Sequence, residues 1–283
     1  MQVESMDNLM KRCVTLPRRI ASYFLRRQML ARLLITLLRL RFRKGQIPLH
    51  QVARLRTMFR GSNVFEPHPS VYVGSGLLLN NRALSRRLAY METGMWTLGV
   101  DTLNYLERLI QALRPEAVLE FGSGLSTLCL CQYMFDLHGD TGSPRVFSID
   151  QESRYLTGSR VRLAECGFEN LARLAHRPLI PQCIEGVETE CYDLPHDFLS
   201  GFLGGSMPGL LLVDGPAGED GVRFGTLPLV KDFVPTGARF VLDDALRDSE
   251  LKTSLMWDRL PYLRVFGIKP VSKGLLLGEV FHK

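Results

Sequence analysis

The sequence predicts an α/β fold, a mostly parallel sheet covered by helices. Three observations predict it. First, short apolar runs recur at Ala117–Leu119, Val146–Ile149, Leu210–Val213 and Phe240–Leu242. Runs of that length and composition suit strands buried on both faces. Second, longer stretches with helical apolar spacing or without Pro and Gly lie around them, as at Val100–Arg114 and Leu125–Met134. Alternating strand and helix patterns give a parallel sheet with crossover helices. Third, a glycine turn or an aspartate follows each of these runs: Gly122, Asp150, Asp214 and Asp243. In open α/β sheets that edge is where ligands collect.

The first strand is bounded by Pro115 and runs into Glu120-Phe121-Gly122-Ser123-Gly124. Two glycines at i and i+2 let the chain turn sharply and leave no Cβ to block a ligand. The helix behind them opens with free N–H groups and a positive dipole end, which suit an anionic group. The second strand ends in Asp150, 28 positions beyond Gly122, placed to accept hydrogen bonds from a ribose diol. Thr127 stands where a dinucleotide fingerprint has its third glycine. That argues against a nicotinamide site and a nicotinamide-dependent oxidoreductase.

In order along the chain, VLEFGSG (118–124), SID (148–150), LLLVDGP (210–216) and FVLDDA (240–245) resemble the motif set of class I S-adenosylmethionine-dependent methyltransferases. The likeness runs from about Trp96 to the C-terminus. It implies a Rossmann-like seven-stranded sheet of order 3-2-1-4-5-7-6, the last strand antiparallel, with S-adenosylmethionine as cofactor. It implies cofactor contacts at Glu120, Gly122, Ser123, Gly124, Ser126, Thr127, Asp150, Gln151 and His176. The segment ahead of the helix at 100–114 often lines the pocket in that family, so Trp96 and Thr97 are candidates there, Trp96 also on the substrate side.

The chain has 283 residues, 46% of them hydrophobic, enough for one large α/β domain and an extension. We divide it into an arm (1–45), a mixed linker or cap (46–97) and the main domain (98–283). Cysteines 13, 129, 131, 166, 183 and 191 show no CxxC or zinc-like spacing, which fits a reduced, cytoplasmic setting. No run of about 18 apolar residues is present, which argues against a spanning helix. The net charge of +6 is uneven: residues 1–45 carry 11 Lys/Arg against 2 Asp/Glu, leaving 24 against 27 for the rest. The basic arm follows an amphipathic helical pattern through Ile20, Phe24, Leu30, Leu34, Leu37 and Leu38. It suits packing on the main domain, a homodimer contact, an anionic membrane surface met peripherally, a nucleic acid, or a targeting segment. The main domain is not basic and shows no aromatic-rich basic groove, which disfavours a nucleic-acid acceptor.

Several further elements follow. Residues 45–99 are turn-rich, with a short strand or hairpin in SVYVGSGLLL and a turn at Asn80-Asn81-Arg82. A helix after Asp150 ends at Gly167, and Leu171–Ala175 forms the third strand. Residues 180–209 read as irregular. LPYLRVFGIKP and KGLLLGEVF form a C-terminal hairpin.

Asp214, Asp243 and Asp244 then stand at the ends of adjacent strands. Carboxylates that close repel unless a cation or protons compensate. The pattern resembles catechol-type O-methyltransferases, where an Asp after the fourth strand and an Asp-Asn pair after the fifth hold Mg²⁺. It departs from them in two ways: the pair is Asp-Asp, and Gly215-Pro216-Ala217-Gly218 lacks their lysine. Three readings stay open: a Mg²⁺ site on the three aspartates, a metal-free polar substrate pocket, or helix capping by Asp243 with an Asp244–Arg247 ion pair. The resemblance implies methyl transfer, and the acidic pocket points to an oxygen of a small-molecule or sugar-like acceptor. Asp214 would act as base or metal-side group, with Asp243, Asp244 and Arg247 orienting the acceptor. The competing reading is a non-catalytic module of the same fold, tethered to a membrane or partner by its arm.

Overall fold

A computed structural model describes residues 41, 45–58, 79–88, 97–140, 142–218, 221–271 and 273–282. The arm pattern, the SVYVGSGLLL segment up to residue 78, and Trp96 lie outside the described residues. The helices are α1 (Leu49–Met58), α2 (Arg82–Leu88), α3 (Val100–Leu113), α4 (Leu125–His138), α5 (Ser153–Glu165), α6 (His196–Leu203), α7 (Thr226–Val230) and α8 (Asp248–Trp257). The strands are β1 (Ala117–Phe121), β2 (Val146–Asp150), β3 (Ala172–His176), β4 (Leu179–Ile184), β5 (Val187–Tyr192), β6 (Pro208–Val213), β7 (Arg239–Leu242), β8 (Leu263–Lys269) and β9 (Leu275–Val280).

Seven strands form one sheet, in the order β3-β2-β1-β6-β7-β9-β8. Numbered along the chain without the separate β4–β5 pair, this is 3-2-1-4-5-7-6, as the family resemblance implies. Strands β3, β2, β1, β6 and β7 pair in parallel, and β9 runs antiparallel to both β7 and β8. The antiparallel strand therefore lies inside the sheet, one position from its edge. Strand β1 is central, with Leu119 beside Phe147 on one flank and Leu211 on the other.

Alternation sorts the apolar side chains into two layers. Val118, Val146, Leu210, Leu212 and Val241 pack against α2, α3, α4 and α5. Leu119, Phe121, Phe147, Leu211, Val213 and Phe240 pack against α1, α6, α7 and α8. Each such side chain fully buried contributes roughly 1.5–3 kcal/mol. Both faces of β1, β2 and β6 are covered, which is why their sequences read as near-continuous apolar runs rather than alternating ones.

The structure corrects two expectations. Residues 180–209 are not irregular: they hold most of the β4–β5 hairpin and all of α6. The hairpin turns through Glu185 (φ 50°) and Gly186 (φ 77°). Two positive φ angles in a two-residue loop match the mirror-image turn that suits strand twist. Asn80-Asn81-Arg82 is not a plain turn either. Arg82 opens α2, and the Leu84 N–H donates to Asn81 Oδ1 at 2.9 Å, so Asn81 caps that helix. The stretch before α1 also joins the main sheet. Ile47 and Ile268 exchange backbone hydrogen bonds of 2.8 and 2.9 Å along the β8 edge. Among the described residues, no helix is long and apolar enough to cross a membrane.

The second layer is keyed by Trp257, which is fully buried. Its ring meets Phe240 edge-on at 5.6 Å, and its Nε1–H donates to Phe224 O at 2.8 Å. Trp257→Ala removes the ring and orphans that carbonyl, so we expect a loss of about 3–5 kcal/mol in urea unfolding. A loss below about 1 kcal/mol would show that the layer does not depend on it.

Candidate functional site

The β1–α4 turn shapes one wall of a cavity of about 640 Å³ at the carboxyl ends of β1, β2 and β6. The two glycines of that turn do different work. A Cβ on Gly122 would lie 2.7 Å from Gly215 N, and Gly122 has φ +95°. Glycine at 122 is therefore required by the neighbouring loop and the turn, not by ligand space. Gly124 is the reverse case. Its φ is 176° and a Cβ there would meet nothing within 4 Å, so it keeps cavity space open.

Glu120 lies beneath the turn, fully buried. Its Oε2 accepts from Thr127 Oγ1 at 2.6 Å and Ser148 Oγ at 2.7 Å. Thr127 Oγ1 in turn accepts the Gly124 N–H at 3.1 Å. Ser123 Oγ donates to Ser159 Oγ at 2.8 Å, and Ser159 donates to Gly124 O at 3.3 Å, tying the turn to α5. The turn is thus held from below by side chains and leaves its upper surface to the cavity.

Asp150 borders the cavity at the tip of β2, 4% exposed. Oδ2 accepts the Ser123 N–H at 2.6 Å and Oδ1 accepts the Glu152 N–H at 2.7 Å. Each oxygen keeps a further lone pair. Burial raises this carboxyl above the usual range, and the two N–H donors act against that rise. Gln151 also borders the cavity, but its amide is engaged: Nε2 donates to Ala217 O at 2.7 Å and Oε1 accepts the Ala217 N–H at 3.0 Å. It straps the β2 tip to the loop after β6.

The acidic residues gather at the other end. Asp214, Asp243 and Asp244 each present an oxygen, all within 4.8 Å of one another. Asp214 borders the cavity with its side chain 20% exposed. Burial raises its carboxyl from 3.8 to about 6, against the opposing charge of Arg223. Asp244 has φ +61°, a left-handed backbone that Asp tolerates better than most residues. Arg247 Nη1 lies 2.7 Å from Asp244 Oδ2, the ion pair that was one of the three sequence readings. Asp243 does not cap α8, whose N-cap is Arg247. Neither of its carboxylate oxygens has a hydrogen-bond partner among the described residues.

Of the residues expected to contact cofactor or acceptor, Gly122, Ser123, Gly124, Ser126, Asp150, Gln151, Asp214, Asp244, Arg247 and Thr97 border the cavity. Four others are placed elsewhere. Glu120 and Thr127 point into the packing under the turn, because the hydroxyl network needs a buried acceptor there. Asp243 is 1% exposed and lies behind the cavity wall. His176 stands exposed on the edge strand, its Nε2 2.9 Å from Gln151 O. It is the register partner of Asp150 and shares that sheet face, but it stands on the outermost strand, and the cavity lining takes in no residue of β3.

The sequence reading missed Arg223, Lys273, Arg162 and Tyr192, all of which border the cavity. Arg223 sits between Val222 and Phe224, and an arginine inside an apolar triplet was the one available signal. Lys273 reads as an ordinary hairpin-turn lysine, and nothing local marks it.

Glu120 generates a pH prediction. Burial raises its carboxyl from 4.5 to about 7, although its hydroxyl donors favour the charged form. Between those values the folded state holds a proton that the unfolded chain has lost, so stability falls as pH rises through that window. At about 1.4 kcal/mol per unit the loss is on the order of 3 kcal/mol. Glu120→Gln keeps an acceptor oxygen and should flatten the slope in urea titrations spanning the window. An unchanged slope would place the proton elsewhere.

No family model matches the sequence, and no curated protein matches it. Solved structures do match. One is the O-methyltransferase TomG from Streptomyces achromogenes, involved in tomaymycin synthesis and solved in complex with S-adenosylmethionine. It is 17% identical, with a TM-score of 0.51, over 74% of this chain and 94% of that one. Another is cofactor-bound Rv0187 from MTB, 20% identical with a TM-score of 0.53, over 77% of this chain and 100% of that one. At such identities the likeness is one of fold. Together with the 3-2-1-4-5-7-6 sheet and its antiparallel last strand, it gives this chain the Rossmann-like fold of these two proteins.

Proposed function

We propose that the chain is an S-adenosylmethionine-dependent methyltransferase acting on an oxygen of a small-molecule or sugar-like acceptor. The observation that carries this reading is Asp150. Its carboxylate is fixed by two backbone N–H groups at the cavity rim and keeps lone pairs for a ribose diol. The open space over Gly124 admits the amino-acid end of the cofactor beside the first turn of α4, whose N–H groups suit a carboxylate. Arg162 borders the same cavity and folds back along Gly158, next to the Ser159 that bonds Gly124 O. Its guanidinium supplies a further partner for that carboxylate. The solved relative TomG, an O-methyltransferase in complex with S-adenosylmethionine, supports the same reading. We assign the activity to residues 98–283 in a cytoplasmic setting.

When bound, S-adenosylmethionine supplies a methyl carbon on a sulfonium sulfur, open to in-line displacement by an acceptor oxygen. The protein's part is to hold that oxygen in line and take its proton. Asp214 is the carboxylate of the acidic group with most access to the cavity. Its raised affinity for a proton, near 6, suits a general base close to neutral pH. Asp244 and Arg247 border the cavity as a pair and orient the acceptor through its remaining polar groups.

Two measurements test this. In calorimetry the wild type should bind S-adenosylmethionine at micromolar Kd, and Asp150→Asn should raise that Kd about 10- to 100-fold. A folded wild type that shows no binding, or a variant that binds equally well, overturns the cofactor assignment. In an acceptor screen with labelled cofactor, Asp214→Asn should lower turnover about 10²- to 10⁴-fold while cofactor Kd stays within about twofold. Full turnover in that variant removes Asp214 from the chemistry.

A further inference from the structure

The acidic corner carries its own positive charge. Three carboxylates within 4.8 Å would ordinarily gather a hard cation through their oxygens. Here side chains are already in place. Lys273 Nζ stands 3.1 Å from Asp244 Oδ1, and Arg247 Nη1 stands 2.7 Å from Asp244 Oδ2. Arg223 reaches Asp214 Oδ1 at 3.9 Å and Glu250 Oε1 at 3.6 Å. Lys273 is 3% exposed and Arg223 7%, a degree of burial these residue types reach only when paired.

The backbone delivers Lys273 to this position. The turn before β9 docks on the segment after β7: Leu246 N–H donates to Lys273 O at 3.1 Å, and Ala245 N–H to Gly274 O at 3.0 Å. Gly274 has φ +90°, and a Cβ there would lie 2.6 Å from Leu246 Cγ. Only glycine lets the turn close to that distance, and the residue before it is Lys273. A Mg²⁺ ion needs oxygen ligands at about 2.0–2.1 Å in near-octahedral geometry and keeps several waters. Asp244 has a cationic nitrogen beside each of its oxygens, so an ion bound to it would be placed against two fixed positive charges.

We propose that Lys273 is the resident cation of this corner, occupying the charge position a divalent metal would take, so that the protein works without one. Lys273 is then a positioning residue: it holds Asp244 in place and leaves Asp214 facing the cavity. This goes beyond the methyl-transfer reading, and its readout needs no turnover, so the two fail separately.

The probe is Mn²⁺ itself, followed by electron paramagnetic resonance on the full chain after dialysis against EDTA. The wild type should show no saturable site up to millimolar ion. Lys273→Gln, checked for folding by thermal melting, should gain a site at least about tenfold tighter, and Lys273→Arg should not. A micromolar Mn²⁺ site in the wild type, lost in Asp244→Asn, overturns the proposal. So does a folded Lys273→Gln that gains nothing. Should Lys273→Gln fail to fold, the wild-type titration decides alone: a saturable site overturns the proposal and none supports it.

Discussion

The structure depends on the close approach of two backbones at the sheet rim. Phe121 O accepts N–H groups from both Asp214, at 2.9 Å, and Gly215, at 2.7 Å. A Cβ on Gly215 would lie 2.8 Å from Gly122 Cα, and one on Gly122 would lie 2.7 Å from Gly215 N. The turn after β1 and the turn after β6 are therefore locked to each other with no side chain between them. This contact sets the separation between the Gly124–Asp150 end of the cavity and its Asp214 end. The proposed methyl transfer would need that separation held, because displacement in line tolerates little misplacement.

Burial then assigns different tasks to carboxylates of the same kind. Glu120 has two hydroxyl donors and no route to the cavity, so it acts as a structural acceptor that shapes the first turn of α4. Asp150 has two backbone donors and an open side, so it can meet a ligand. Asp244 is held between a lysine and an arginine. Asp214 is only loosely paired, 3.9 Å from Arg223, and keeps the access that a base needs. In a low-dielectric wall such pairing is strong, and removing one partner is costly because the other is left charged and buried.

Much of the sheet was legible in the chain. The runs at β1, β2, β6 and β7 are apolar because both faces of those strands are covered, and each ends in the residue that turns the chain or faces the rim. The β4–β5 hairpin was not legible. Its strands alternate half-buried and exposed positions, and its turn, Glu185-Gly186, lacks the Asn-Gly or Asp-Gly signature. His176 was misplaced for a related reason. Strand-end position was readable, but how far the cavity reaches along the rim was not, and it stops short of β3.

The sequence by itself determined the strand order's raw material, the glycine turn and the acidic residues at the strand ends, because these follow from local rules of periodicity and turn chemistry. Tertiary structure alone decided which acids reach the cavity and what neutralises them. Asp214 and Lys273 are 59 residues apart, and they border one cavity only because β9 inserts antiparallel beside β7 and its leading turn docks on Ala245 and Leu246. Charge compensation depends on distance in space, and the chain expresses that distance only after the sheet has closed.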